Sequence, residues 1–246
     1  MEQFIKACSL LASSEILPEN SVRTIMAGKM FSEICGQGHL KVAQWIVARF
    51  DLHAREAFAN YTEALTNACS NGHLEVAQWL VEQFEMGAKE AGAGALERAC
   101  SNGHLEVAQW LAERFELTAA DARARDNSAL RWACIDDFLD VTQWLADRFG
   151  LTAADARAKN NEALRGACIN GSLNVAQWLV ERFELTAEDA RTYDNDALIG
   201  ACRYGHLNVA QWLVERFDLA AEDVLAQYPR LVPAIGPLVK SAAKLA

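Results

Sequence analysis

Four cysteines are each followed four residues later by a histidine: Cys35/His39, Cys69/His73, Cys100/His104 and Cys202/His206. Thiolate and imidazole are both zinc ligands, so a metal site is the first chemistry this spacing raises. Zinc needs four ligands converging on one point. Each pair here straddles a helix end with its cysteine on the apolar face, so the cysteines are expected in the core and the histidines at helix caps or in bonds across units. A second series, Thr118/Asp121, Thr152/Asp155 and Thr186/Asp189, places a threonine three residues before an acid. That is the spacing of a capping box, which satisfies free backbone N–H groups at a helix start. A third series, Arg114, Arg148, Arg182 and Arg216, could form an anion ladder. Each falls in the last turn of an apolar-periodic run, where a cation opposes the negative end of the helix dipole, with Glu113, Asp147, Glu181 or Glu215 beside it. There is no phosphate-cradling glycine loop, no His-Glu-x-x-His and no serine set beside a histidine base in a recognisable motif. No enzyme activity, cofactor or metal is expected.

The elements that carry these residues repeat. Cys35/Trp45, Cys69/Trp79, Cys100/Trp110, Cys134/Trp144, Cys168/Trp178 and Cys202/Trp212 keep one spacing, and successive cysteines lie 34, 31, 34, 34 and 34 residues apart. A fixed period of this length means a tandem array of one supersecondary unit. In the unit from Asn161 to Asn195, Leu164, Ala167 and Cys168 share a helical face, with Asn161 as cap and Gly171 as the left-handed residue that ends the helix. Gly72, Gly103 and Gly205 repeat that stop. Leu173, Val175, Ala176, Trp178, Leu179 and Phe183 cover most of the circumference of a second helix, which is expected to form an inner spine with neighbours on several sides. The Leu-Thr-x-x-Asp motif predicts a short third helix. All four prolines lie outside residues 19–228, as an array of helices requires.

Composition bounds the class. With 52% hydrophobic and 23% charged residues over 246 positions, the chain has ample material for a continuous core. The net charge of −10 argues against nucleic acid as partner. No apolar stretch is long enough to span a membrane and no signal-peptide pattern opens the chain, so a cytoplasmic or nuclear location is expected. Equivalent helices stack about 8–10 Å apart, beyond disulfide reach, so the six periodic cysteines are expected as buried free thiols.

The run Asn-Gly-His-Leu-Glu-Val-Ala-Gln-Trp-Leu at residues 71–80 and 102–111, together with Ala-Leu-x-x-Ala-Cys as in residues 163–168, resembles the second and first helices of ankyrin repeats. Tryptophan-containing arrays of this kind are similar to those of giant DNA viruses and unicellular eukaryotes. The usual Thr-Pro-Leu-His start is absent and Leu-Thr-Ala-Ala-Asp-Ala-Arg stands where the β-hairpin would be, so the expected fold is all-α: an ankyrin-like α-solenoid of about six 34-residue repeats. Residues 31–220 would form the array, with capping segments at 1–30 and 221–246.

The resemblance implies a non-enzymatic scaffold or adaptor, monomeric in isolation, that binds a protein. The alternative is a structural subunit of a larger assembly such as a virus particle. Partner contacts are expected where the first helix varies from unit to unit: Arg98, Arg131, Trp132, Ile135, Asp136, Arg165, Ile169, Ile199, Arg203 and Tyr204. Trp132 is the one tryptophan outside the periodic set. In its unit Asp137-Phe138 replaces Gly-His, which marks the middle of the array. The shortened connector at residues 85–94, with three glycines and no Thr cap, is expected to alter local curvature or stiffness.

Overall fold

A computed structural model describes residues 29–50 and 58–219. The expected capping segments, Cys8 and the four prolines lie outside them, apart from residues 29 and 30. The chain divides into two compact units, Met1–Met86 and Gly87–Ala246. The division falls at the shortened connector. Among the described residues there are fifteen helices and no strand.

The first unit holds α1 (29–36), α2 (Leu40–Phe50), α3 (Phe58–Ser70) and α4 (Leu74–Gln83). Its core is aromatic. Phe31 meets Tyr61, Trp79 and Phe84 edge-on at 5.8–6.2 Å, and Tyr61 stacks on Phe84 with ring centroids 3.7 Å apart. Such pairs add to the burial of the rings themselves.

In the second unit, α5 (Ala88–Ser101) and α6 (Leu105–Arg114) are followed by three triplets of helices. These are α7 (Ala119–Ala122), α8 (Ala124–Ile135) and α9 (Leu139–Phe149); α10 (Ala153–Ala156), α11 (Ala158–Asn170) and α12 (Leu173–Phe183); and α13 (Ala187–Ala190), α14 (Thr192–Tyr204) and α15 (Leu207–Phe217). Each short helix opens on a complete capping box, with the threonine hydroxyl and the aspartate satisfying each other's backbone N–H groups. Each of α5, α8, α11 and α14 ends in a left-handed residue, Gly171 and Gly205 at φ 84° and 82° among them. The N–H two places after the helix then reaches back five residues, as from His206 to the Ala201 carbonyl at 2.8 Å. Asp137 takes this conformation at φ 65° although it carries a side chain.

A left-handed turn interrupts each of α8, α11 and α14 one residue after its start. Arg125, Asp126 and Asn127 have φ of 52°, 57° and 59°; Lys159, Asn160 and Asn161 repeat this, as do Tyr193, Asp194 and Asn195. Left-handed backbone costs an ordinary L-residue about 1–2 kcal/mol, and Asn and Asp least, which accounts for the residue types at the second and third places. Counted back from the cysteine, the residues missing from the 31-residue interval are these three. Without them the short helix and the first helix fuse into the single 14-residue α5. Arginines brace the turn from inside. Arg131 donates from Nε to the Asp126 carbonyl at 2.9 Å and from Nη2 to that of Arg125 at 3.2 Å, and Arg165 donates to the Asn160 carbonyl at 3.1 Å.

The first helices α5, α8, α11 and α14 pack side by side, and the second helices form the other layer. Leu96, Leu111, Leu130, Leu145, Leu164, Leu179, Leu198 and Leu213 fill the space between, one from each long helix, all fully buried. Truncating such a leucine costs about 2–5 kcal/mol. The six periodic cysteines are buried and free. Burial pushes the Cys134 thiol up to about 12 and the Cys202 thiol to about 11.

The second helices differ from the expected spine. On α12 only Val175, Ala176, Leu179, Val180 and Phe183 are buried, while Trp178 is half-buried and Glu181 and Arg182 are exposed. One face packs, and each tryptophan lies at its margin, edge-to-face with the phenylalanine five residues on at 5.7–6.2 Å. The last-turn arginines Arg114, Arg148, Arg182 and Arg216 lie over those phenylalanine rings at 5.3–5.7 Å.

Candidate protein-binding surface

The first-helix layer of the second unit carries the positions that vary. Backbone geometry decides which of them are free. Gly166 faces Ile135 of the preceding first helix so closely that a Cβ there would lie 2.3 Å from Ile135 Cγ1; Gly200 stands against Ile169 at 2.4 Å in the same way. Both isoleucines are thus seated in sockets made by the next unit's glycine. Ile199 is 4% exposed and belongs to the core. Asn170 Nδ2 donates to the Ile135 carbonyl at 3.0 Å, adding a polar tie beside the first socket.

The candidate arginines divide into two kinds. Arg131 is 9% exposed; besides bracing its own turn it pairs with Glu162 of the next unit. Arg165 pairs with Asp196 at 3.0 Å and lies 4.5 Å from the centre of the Tyr193 ring, whose hydroxyl accepts from Asn160 Nδ2 at 2.8 Å. These two hold neighbouring units together. Arg98 and Arg203 are exposed. Glu97, also on α5, receives Arg125 at 2.8 Å, and Lys159 reaches Asp126 at 2.8 Å, so the left-handed turns are linked from one unit to the next.

Exposed aromatic side chains stand on this framework: Trp132 at 43%, Tyr193 at 60% and Tyr204 at 63%. Trp132 does not fill the space over Gly166, which Ile135 occupies. Tyr193 is not among the positions expected from the sequence, because it lies in the left-handed turn and not on the helix around the cysteine. The signal was present in the variable pairs Arg-Asp, Lys-Asn and Tyr-Asp that precede each asparagine and vanish from the 31-residue interval. Asp136 and Asp137 are exposed, and neither side chain has a hydrogen-bond or ion-pair partner among the described residues.

His73, His104 and His206 do not cap through their side chains. His73 and His104 occupy N-cap positions without a side-chain cap bond. The His73 and His206 imidazoles pack on glycines: a Cβ on Gly38 would meet the His73 ring at 2.7 Å, and one on Gly171 the His206 ring at 2.4 Å. Phe138 covers Gly103 in the same manner. At the equivalent pair Asp137 has replaced the glycine, and the small, buried Ser172 stands where the ring would be. Among the described residues no group of three or more His, Cys, Asp or Glu side chains could hold a metal ion, and no helix is long and apolar enough to cross a membrane.

Near-identical helical units, bonded to their neighbours and varying in the side chains they expose, define a helical repeat array. The family model for ankyrin repeats (3 copies) matches residues 31–126 and 130–223, and the chain belongs to the ankyrin-repeat proteins. Ankyrin repeats generally mediate protein–protein interaction and are typically non-enzymatic. No curated protein matches the chain.

Proposed function

We propose that the chain is a scaffold or adaptor that binds a protein through the exposed side of its first-helix layer, centred on Trp132 and extending over Tyr193, Arg203 and Tyr204. The observation that carries this reading is the exposure of three large aromatic side chains on an otherwise closely bonded framework. Tyr, Trp and Arg are the residue types that dominate binding energy at protein interfaces. The elements beneath them are locked by glycine sockets and cross-unit ion pairs, so a partner meets a surface already ordered and little conformational freedom is lost on association. Of the ten positions named from the sequence, Arg98, Trp132, Asp136, Arg203 and Tyr204 present free surface, whereas Arg131, Ile135, Arg165, Ile169 and Ile199 support it.

The test is affinity purification from the native source with mass spectrometry, comparing the natural chain with a Trp132→Ala, Tyr204→Ala variant. A discrete co-purifying protein lost from the variant supports the reading. Retention of every partner by a correctly folded variant would remove this surface from consideration, and recovery of both chains in one large particle would favour an assembly subunit.

A further inference from the structure

Inside this protein, aromatic rings at the margin of the fold recruit guanidinium groups. Arg114, Arg148, Arg182 and Arg216 cover phenylalanines, and Arg165 covers the exposed Tyr193. Among the described residues Trp132 has no such partner. Its indole is 43% exposed, and no cation–π or ring contact with a described residue engages it, although Arg98 occupies the same position on the adjoining α5. One helical turn further on stands Asp136, followed by Asp137, both exposed and without a partner among the described residues. Two neighbouring cations are committed elsewhere, Arg131 to Glu162 and two backbone carbonyls and Lys159 to Asp126. In the flanking units the positions equivalent to Asp136 and Asp137 are Asn102 and Gly103, then Asn170 and Gly171. The uncompensated negative charge is therefore local to the unit that carries the free indole.

We infer that the partner side chain seated against Trp132 is a cation, a lysine or arginine on a basic segment of the partner protein, with its charged group between the indole face and the Asp136 and Asp137 carboxylates. This rests on the first-helix layer being the binding surface and adds the chemistry of its occupant. The face of an indole is negative and attracts a cation, and tryptophan does so best of the aromatic side chains. A carboxylate one helical turn on, at Asp136, and a second beside it at Asp137 strengthen that attraction and repel an acidic partner. The net charge of −10 works in the same direction at long range.

The test is selection of a random displayed-peptide library on the immobilised full chain. An enriched peptide is then synthesised with a fluorophore, and its binding is followed by anisotropy at two ionic strengths. Enrichment of Lys or Arg is expected, with affinity falling about tenfold in Trp132→Ala and in Asp136→Asn, Asp137→Gly, and falling similarly when the peptide's key Lys or Arg is changed to Gln. Asp137→Gly also restores the residue that the left-handed position favours, so that variant should be no less stable in thermal unfolding while binding more weakly; a folding defect would show the opposite pairing. Peptides that need Trp132 but carry no cation would overturn the inference and leave the surface reading standing. Peptides indifferent to Trp132, Asp136 and Asp137, or no enrichment at all, would also overturn it; if they were indifferent to Tyr193→Ala and Tyr204→Ala as well, the surface reading would fall with it.

Discussion

Asp155 holds Arg123 of the preceding unit through both carboxylate oxygens, at 2.7 Å from Nε and 3.0 Å from Nη2, while its Oδ2 also takes the N–H and the hydroxyl of Thr152. Asp189 does the same with Arg157 and Thr186. One carboxylate thus starts a helix and ties two units. Burial alone would raise the Asp155 carboxyl, but its hydrogen bonds to Arg123 and Thr152 outweigh that and bring it down from 3.8 to about 2. Arg157 foremost brings Asp189 to about 2 against the same opposition. A carboxyl whose folded value is depressed stabilises the fold above its unfolded value and loses that contribution as pH falls toward the folded one. Each should contribute on the order of 1–2 kcal/mol, the exposed arginines having been allowed for, and this should disappear between about pH 4 and 2. Urea unfolding across that range should show a steep loss of stability that is shallower in Arg123→Ala, Arg157→Ala; equal slopes would refute the assignment.

The glycine sockets predict opposite outcomes for one kind of substitution. Gly166→Ala and Gly200→Ala drive a methyl into Ile135 and Ile169 and should each destabilise by about 1–3 kcal/mol. Changing Ile135 to Ala in the Gly166→Ala background should recover part of the loss, as a double-mutant cycle measures. Gly94 lies exposed in α5 with open space around its Cβ position, so Gly94→Ala should stabilise by about 0.5–1 kcal/mol.

Asp194 is the middle residue of a left-handed turn at φ 55° and is exposed. Asp194→Gly should be neutral or slightly stabilising, and Asp194→Val should cost about 1–2 kcal/mol, because a β-branched residue resists that conformation. Equal thermal midpoints for the two variants would mean that the turn is not held in the left-handed region in solution.

The six periodic thiols should resist alkylation in the folded protein, since they are buried and the Cys35, Cys69 and Cys134 thiols are pushed up to about 12. Mass-spectrometric mapping after iodoacetamide treatment should find them unmodified until denaturant opens the array. Rapid labelling of Cys134 or Cys168 in native buffer would contradict their burial between the helix layers.

The repeat, its helices, the glycine stops, the capping boxes and the buried thiols were all legible in the sequence, because each is a local pattern with one physical meaning. The left-handed turn was not. Tyr193-Asp194-Asn195 reads as ordinary connector, and only the backbone shows three consecutive residues with positive φ. The candidate surface was half legible for a related reason. Variation from unit to unit marks both the positions that touch a partner and those that touch the next unit, and sequence cannot tell Ile135, seated on Gly166, from Trp132, which stands free. The second helix packs on fewer sides than its sequence suggests: Trp178 counts as apolar in a periodic pattern, yet a large ring at the margin of one buried face gives the same pattern as a helix buried all round.

The pairing of Gly166 with Ile135 and of Gly200 with Ile169 gives the array a direction and a grammar. The unit around Cys168 carries a socket at Gly166 and a knob at Ile169, so it fits a copy of itself. The unit around Cys134 offers the knob Ile135 but has Trp132 where the socket would be, and the unit around Cys202 has the socket Gly200 but Arg203 in place of the knob. They are an opening piece, an extendable piece and a closing piece. A gene that duplicated the segment around Cys168 would encode a longer array with matched joints, whereas duplicating the segment around Cys134 would force an indole against an isoleucine. Growth of this protein by internal duplication is thus permitted at one unit of the three and blocked at the one that bears the free tryptophan.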